Sequence, residues 1–234
     1  MMDDGASWLG VGLYTAAESS RLLGMPLPKV RRWLGGYRAA DSEHPPLWTP
    51  SLPRLDDQLG FGFLDLMQLR LVDRIVTETR IGLQAMRRAL VLAQDLLHHT
   101  HPFTTARFRT DGRKLFLEIG CESDEPSLYD VLGKPYGFHR LIEPSFADVD
   151  LQAEITRWWP LGHRRSVVVD PQRSCGAPVV ANSGVPTTAL ALAAARLGAP
   201  RKVTQWYPVT EREVRDAIAF ERRMAGASAR RLAA

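Results

Sequence analysis

Apolar residues recur at helical spacing in two long segments of the first half of the chain. One stripe comprises Leu64, Met67, Leu71 and Ile75, and the other comprises Met86, Leu90, Ala93 and Leu97. Intervals of three and four residues place each set on one face of a helix. The pattern therefore predicts two amphipathic helices, one beginning near Phe63 and the other, after Gly82, covering residues 83–97.

A shorter pattern at residues 13–37 predicts two helices joined by a tight turn. Thr15 is a suitable N-cap, and Glu18 three residues later completes a capping box. Gly24 suits the left-handed conformation at a helix end, and Pro28 suits the first turn of the next helix. We expect a helix-turn-helix unit here.

The second helix of this unit, residues 28–34, is predicted to present a basic side. If Val30 and Leu34 pack inward, Lys29, Arg31 and Arg32 face solvent. A short helix of this kind can enter the major groove of DNA, where cationic side chains reach phosphate oxygens or the acceptor edge of guanine. The alternative is a helical hairpin whose basic residues are merely solvated.

Turn-forming residues interrupt the helical pattern twice in the first 120 residues. Residues 38–62 contain repeated prolines and predict either a wing that lies against DNA or a flexible connector. Residues 106–119 alternate polar and apolar positions about Asp111-Gly112, a dipeptide typical of tight hairpins. We expect two antiparallel strands there.

The second half of the chain predicts a small hairpin followed by three helices. Residues 122–150 show no sustained period and form the candidate interdomain region, and residues 151–162 predict a short helix ending at Pro160. Val167–Val169 and Pro178–Ala181 are strand-like and predict the hairpin. Helices are expected within residues 187–198, 200–208 and 210–226.

Charge is unevenly distributed along the 234 residues. The net charge is +4, but residues 161–234 hold 12 Lys and Arg against 5 Asp and Glu, whereas residues 111–160 hold 5 against 10. A basic carboxy-terminal part is compatible with nucleic-acid binding. The acidic amino terminus does not look like a signal peptide, and no apolar run is long enough to cross a bilayer, so we expect a cytoplasmic protein.

No catalytic or metal-binding motif is apparent. His98, His99 and His101 lie close together, but no acidic or cysteine residue follows at ligand spacing, and histidines are favourable at helix ends. Cys121 and Cys175 form no Cys-x-x-Cys pair. We therefore expect a binding protein without enzymatic activity, metal or cofactor.

Two segments resemble known bacterial regulators. YTAAESSRLLGMPLPKVRRWLGGY, at residues 14–37, resembles the MerR-like DNA-binding region of certain VapB-type antitoxins, in which helices like FLDL and LQAMRRAL follow a proline-containing loop. The segment from Val167 to Leu190, together with residues 203–221 after it, is similar to the domain-of-unknown-function family DUF433. The signature positions of that family are occupied here by Asp170-Pro171, Gly176, Pro178-Val179, Gly184 and Tyr207. Ser183–Pro186 replaces the commoner Gly-Thr-Arg turn of that family.

The resemblance implies an antitoxin that neutralises a PIN-like ribonuclease toxin and represses its own operon as a DNA-binding homodimer. The implied fold is mainly α, with a MerR-like winged helix-turn-helix domain carrying a β-hairpin, and a carboxy-terminal three-helix domain of helix-turn-helix type with a small hairpin. The expected divisions are residues 1–120, a connection at 121–163, the second domain at 164–226 and a tail at 227–234. One alternative is a MerR-like transcriptional regulator without a toxin, whose second half senses a ligand in a pocket lined by Trp158, Trp159, Trp206 and Tyr207. Another is an interaction adaptor that binds no nucleic acid.

Three sets of residues are candidates for binding. Operator DNA would contact Thr15, Lys29, Arg31, Arg32 and Arg38. A second set, for DNA or a partner, comprises Lys202, Thr204, Gln205, Arg212 and Arg215. Candidates for contact with the toxin are Arg222, Arg223, Arg230 and Arg231, because a guanidinium that enters an acidic metal site competes with the metal.

Overall fold

Helices form most of the ordered framework. The computed structural model describes residues 10–39, 42–54, 58–109 and 142–232. The α-helices are α1 (Ala16–Leu23), α2 (Leu27–Gly35), α3 (Phe63–Thr79), α4 (Leu83–Leu97), α5 (Glu143–Phe146), α6 (Thr187–Leu197), α7 (Pro200–Val203) and α8 (Glu211–Leu232). The strands are β1 (Tyr14–Thr15), β2 (Tyr37–Ala39), β3 (Ser42–His44), β4 (Gly60–Phe61), β5 (Val149–Leu151), β6 (Ile155–Trp158), β7 (Val167–Val169) and β8 (Pro178–Val180).

The mainly α prediction, the start of α3 and both bounds of α4 are confirmed. α3 begins at Phe63, and α4 covers residues 83–97 after its N-cap Gly82. Leu66 and Val72 on α3 are fully buried, as are Leu90 and Ala93 on α4. Apolar periodicity located these helices because both lay their apolar faces on one core.

The strands form three small antiparallel sheets. β1 pairs with β4, β2 pairs with β3, and the third sheet has the order β5-β6-β7-β8. The predicted hairpin at Val167–Val169 and 178–181 is confirmed, with Val167 opposite Val180. The predicted hairpin about residues 111–112 lies outside the described residues.

The short helix predicted at residues 151–162 is wrong. Ile155–Trp158 is strand β6, which pairs with β5 and, at Trp158, with Val169 of β7. Ile155 and Trp158 are buried, and Arg157 between them is exposed. Four residues are too few for a period to decide between helix and strand, so pairing with the β7-β8 hairpin decided it. In the region predicted to be irregular, residues 122–150, the described part contains α5 and the beginning of β5.

The larger hydrophobic core joins both halves of the chain. It contains Tyr14 and Phe61 from the small β1-β4 sheet, Leu66 from α3, and Phe220 and Met224 from α8. A second core lies among β8, α6, α7 and α8, with Val180, Leu190, Val203, Val214 and Ala217. The proposed division into two domains, a connection and a tail stays a prediction.

Arg70 ties α3 to the four-stranded sheet. Its guanidinium donates to both carboxylate oxygens of Asp148, at 2.7 and 2.8 Å, and to the Ser145 carbonyl at 3.1 Å. It also lies 5.2 Å from the centre of the Trp158 ring. A planar guanidinium can serve a carboxylate and an aromatic face together, which a lysine would not do equally well.

Asp216 fixes α8 to the start of β7. Its fully buried carboxylate accepts hydrogen bonds from the Arg165 guanidinium at 2.6 Å and from the Ser166 backbone and hydroxyl at 3.0 and 2.9 Å. Burial by itself raises the pKa of Asp216, but these donors outweigh it and hold the pKa below its usual value. α8 is therefore held in its second turn by an ionised side chain.

Asp65, near the amino end of α3, is a fully buried acidic residue. It accepts hydrogen bonds from Trp48, Ser51, Gly62 and His101. His99 meets Glu154 at 3.0 Å. The sequence showed no acidic neighbour for these histidines, and only the fold brings Asp65 and Glu154 to them.

Candidate nucleic-acid and partner interfaces

The two short helices joined by a tight turn that residues 13–37 predict are present as α1 and α2. The Thr15 hydroxyl accepts from the Glu18 amide at 3.2 Å, and the Thr15 amide donates to the Glu18 carboxylate at 2.8 Å, which completes the capping box. Gly24 ends α1 with φ of 75°, and α2 begins at Leu27 with Pro28 in its first turn. The sequence specified this turn because each capping residue acts locally.

The opposite faces of α2 differ in the way that DNA contact requires. Val30, Trp33 and Leu34 are buried, at 0%, 2% and 1% exposure, whereas Arg31 and Arg32 are exposed. Within the described part of the chain, neither arginine forms an ion pair. A packed apolar face thus holds two uncompensated guanidinium groups outward.

Lys29 was expected to face solvent beside Arg31 and Arg32, but it forms an ion pair. Its ammonium lies 2.5 Å from a carboxylate oxygen of Asp73 on α3 and 4.6 Å from the centre of the Trp33 ring. The side chain retains 28% exposure. Lys29 is therefore largely neutralised and holds α2 against α3, which no local pattern could indicate because Asp73 is 44 residues away.

Aromatic and basic side chains continue the surface beyond α2. The guanidinium of Arg32 lies 5.2 Å from the centre of the Tyr37 ring, which stacks on His44 at 4.4 Å. Arg38 on β2 lies 3.6 Å from Glu43 on β3, and both are strongly exposed. Such an exposed pair is weak, so Arg38 can exchange Glu43 for a phosphate at little cost.

Arg87 of α4 joins this surface and was missed from the sequence. It lines the same cavity of about 290 Å³ as Arg32, Tyr37 and His44, and donates to the Pro45 carbonyl at 2.7 Å. Only tertiary packing brings it there, because it is 55 residues from Arg32. Thr15, by contrast, uses its hydroxyl as a helix cap, and its contact with DNA stays a prediction.

The second candidate set is divided between free and engaged side chains. Lys202 and Gln205 are exposed, whereas the Thr204 hydroxyl donates to the Arg201 carbonyl at 2.9 Å. Arg212 donates to the Arg164 carbonyl at 2.6 Å, and Arg215 meets Glu211 at 2.5 Å. Arg212 and Arg215 are therefore both engaged by other residues of the chain.

Among the described residues, no group of three or more His, Cys, Asp or Glu is arranged to hold a metal ion. None of the helices described is both long and apolar enough to cross a lipid bilayer.

The comparisons with known proteins identify the family. The chain matches no protein-family model. It is 30% identical to the protein named "Putative antitoxin VapB45" from Mycobacterium tuberculosis, over 89% of this chain and 93% of that protein. The chain belongs to the VapB-type antitoxin family.

A crystal structure supports this relationship. The structure of Rv2018 from Mycobacterium tuberculosis superposes on this antitoxin-family chain with a TM-score of 0.71 and 25% identity, covering 90% of this chain and 99% of that one. The similarity extends over both halves of this chain, so the two proteins share a fold over 90% of its length.

The candidate toxin-binding arginines lie on or near the end of α8 in this VapB-type chain. Arg222 is exposed, whereas Arg223 donates to the Pro160 carbonyl at 2.7 Å. The side chains of Arg230 and Arg231 lie outside the described residues. Residues 227–232 continue the α8 helix.

The aromatic residues of the alternative interpretation differ strongly in exposure. Trp158 is a core residue at 4% exposure, whereas Trp206 is 75% exposed and lies on the turn after α7. A ligand pocket that includes both residues stays a prediction.

Proposed function

We propose that this chain is the antitoxin of a type II toxin-antitoxin system, which binds and neutralises a PIN-like ribonuclease toxin and represses its own operon. Repression would use a homodimer that reads a palindromic operator, because a two-fold protein matches a two-fold site. The observation that carries the DNA-binding part is the pair of exposed, unpaired guanidinium groups, Arg31 and Arg32, on a helix whose other face is packed.

The surface of α2 suits a phosphate backbone better than an acidic protein pocket. Arg31, Arg32 and Arg38 lie on consecutive short elements, and Arg87 adds a fourth cation from α4. Charges spread along a convex helix can follow successive phosphates, and each neutralised phosphate releases counterions. The Tyr37 ring restrains Arg32, which lowers the entropy lost when it binds.

Replacing both Arg31 and Arg32 with alanine tests the DNA-binding proposal. We expect operator affinity to fall by about 10- to 100-fold at physiological salt, and the slope of log affinity against log salt to become shallower by about 2. The measurement is fluorescence anisotropy with labelled operator DNA at several salt concentrations. Thermal unfolding should be unchanged, because both side chains are exposed.

The matched control removes the same two charges elsewhere. Arg201→Ala with Lys202→Ala also removes two exposed cations and should leave operator affinity within about twofold if α2 is the DNA-binding helix. Unchanged binding by the Arg31 and Arg32 variant, with loss in the control, would place the DNA surface on the carboxy-terminal helices.

Neutralisation of the toxin would be stoichiometric and would use arginines near the end of α8. A PIN-type active site gathers acidic metal ligands, so an entering guanidinium would pair with them and displace the metal. Arg222 is the exposed candidate on the described part of α8, whereas Arg223 is held by Pro160. Arg230 and Arg231 follow on the same helix two to three turns later.

Deletion of residues 227–234 tests this part. We expect weaker inhibition of the toxin's ribonuclease activity, with operator binding retained, because the deletion removes Arg230 and Arg231 and leaves α2 intact. The measurement is titration of toxin activity with antitoxin. Full inhibition at a one-to-one ratio would remove the end of α8 from the mechanism.

A further inference from the structure

Trp206 is the most exposed large apolar side chain in the described part of the chain. It is 75% exposed, whereas Trp33, Trp48 and Trp158 are 2–4% exposed. Its indole makes no hydrogen bond or ring contact within the described residues. Tryptophan is strongly buried on average in folded proteins, so this position differs from the rest of the molecule in the way that an interface anchor does.

The backbone under Trp206 is rigidly held. The Trp206 amide donates to the Val203 carbonyl at 3.0 Å, and the Tyr207 amide donates to the same carbonyl at 3.1 Å. Val203 and Val209, on either side of the turn, are buried in the second core. The side chain is therefore presented outward from a fixed support, so little backbone freedom is lost on binding.

Cationic residues accompany the exposed indole. Arg201 and Lys202 on α7 are exposed, and neither side chain forms a hydrogen bond or ion pair within the described residues. They belong to a stretch, residues 171–210, that contains four Lys and Arg and no Asp or Glu. We call Arg201, Lys202 and Trp206 the Trp206 surface.

The neighbouring helix argues against DNA as the occupant of this surface. α8 follows the turn and would be the recognition helix of a second helix-turn-helix, but Glu211 and Glu213 lie in its first turn. Its Arg212 and Arg215 are engaged within the chain. Acidic residues at the leading end of a helix repel phosphates, so a protein surface is favoured.

We propose that the Trp206 surface is a docking site for an acidic surface of the toxin, with the indole inserted into an apolar pocket and Arg201 and Lys202 paired with surrounding carboxylates. This inference rests on the proposed antitoxin function and adds the location of an anchor separate from the end of α8. Tryptophan and arginine are the residue types most enriched among interface positions that dominate binding energy. Charge complementarity selects an acidic partner.

The test uses the full-length chain and the purified protein encoded by the open reading frame adjacent to its gene. Trp206→Ala is expected to weaken binding to that protein by at least about 30-fold in calorimetric titration. The double variant Arg201→Glu, Lys202→Glu is expected to lose more of its affinity for that protein at low salt than at high salt. Leu192→Ala, which truncates an apolar side chain 55% exposed on α6, is the matched control and should leave the affinity unchanged.

A spectroscopic readout distinguishes contact from an indirect effect. The difference between the emission of the wild-type chain and of Trp206→Phe isolates the exposed indole, and that difference spectrum should shift to shorter wavelength when the toxin binds. Thermal unfolding of both Trp206 variants should match the wild type, because the side chain packs against almost nothing.

The possible outcomes distinguish failure of the docking site from failure of the proposed antitoxin function. Toxin binding by the wild type with undiminished affinity in Trp206→Ala overturns the docking site and leaves the antitoxin function intact. Absence of any binding by the wild type overturns the proposed function and the docking site together. Loss of operator affinity in Trp206→Ala, with toxin affinity retained, assigns the surface to nucleic acid and overturns the inference.

Discussion

Asp65→Ala is expected to lower the free energy of unfolding by about 4 kcal/mol, the largest effect of any single polar substitution proposed for this chain. The carboxylate has no exposed surface and accepts from Trp48 Nε1 at 2.8 Å, from the Ser51 and Gly62 amides at 2.9 Å, and from the Ser51 hydroxyl at 2.5 Å. Removing it leaves several buried donors without an acceptor. Chemical denaturation at neutral pH measures the change.

The loss is large because Asp65 joins three separate segments. Its partners lie in the loop after β3, at the N-cap of α3 and, through His101, after α4, where His101 Nε2 is 2.8 Å from the carboxylate. Asp95→Ala on the exposed side of α4 is the control and should change stability by no more than about 0.5 kcal/mol. Equal effects of the two substitutions would show that the buried network contributes no net stability.

Acid should abolish the contribution of Asp65. Burial raises the pKa of this carboxyl group, but the hydrogen bond and charge of His101 and the hydrogen bonds from Ser51 outweigh burial, so the pKa is below its usual value. A carboxylate with a lowered pKa stabilises the fold at pH values above its ordinary pKa and loses this effect as the pH falls through the lowered value. The stability difference between wild type and Asp65→Asn should therefore shrink on acidification below about pH 4.

Gly176→Ala is expected to be the most damaging single-methyl substitution in the carboxy-terminal half, lowering the free energy of unfolding by about 3 kcal/mol. Gly176 has φ of 82°, and a Cβ there would lie 2.1 Å from the hydroxyl oxygen of Tyr14. Tyr14 is only 2% exposed and belongs to the larger core, so moving its ring disturbs the packing around it. The backbone strain and the steric overlap therefore act together.

The contact also carries a hydrogen bond between the two halves of the chain. The Tyr14 hydroxyl donates to the Gly176 carbonyl at 2.8 Å. Burial, with the nearby carboxylates of Glu18 and Asp170, holds the pKa of Tyr14 far above its ordinary value, so the hydroxyl remains a donor throughout the accessible pH range. Displacing the ring would break this bond as well.

Gly184→Ala is the matched control for backbone strain. Gly184 has a similar φ of 71°, but nothing lies within 4 Å of a Cβ built there. It should lose about 1 kcal/mol from strain alone, and the difference from Gly176→Ala measures the overlap with Tyr14. Equal losses would mean that Tyr14 yields freely.

The capping motifs and long apolar stripes could be recognised from sequence because they act within a few residues. The Thr15-Glu18 capping box, Gly24, and helices α3 and α4 depend on local hydrogen bonds and on one buried face each. The β7-β8 hairpin was found for the same reason. Strand β6 was not recognised, because four residues are too few to show a period. Its pairing with β5 and β7 decided that these residues form a strand.

The candidate DNA surface was predicted in part. Burial of Val30 and Leu34 correctly placed Arg31 and Arg32 outside, since residues on opposite faces of a helix are related by its period. Lys29 was misplaced because its partner Asp73 belongs to α3. Arg87 was missed because α4 contributes to that surface only after folding.

The sequence alone therefore determined where α3 begins, where α4 begins and ends, and which side of α2 is apolar. It also carried the resemblance to the antitoxin family that the relative from Mycobacterium tuberculosis supports. Tertiary structure decided which charged side chains remain free, since ion pairs such as Lys29-Asp73 and Arg21-Glu221 join residues far apart in the chain. It also decided that Trp206 faces solvent whereas Trp158 is buried. Composition and spacing specify local backbone geometry and apolar faces, but the accessibility of a charge or an indole depends on which distant segments pack against it.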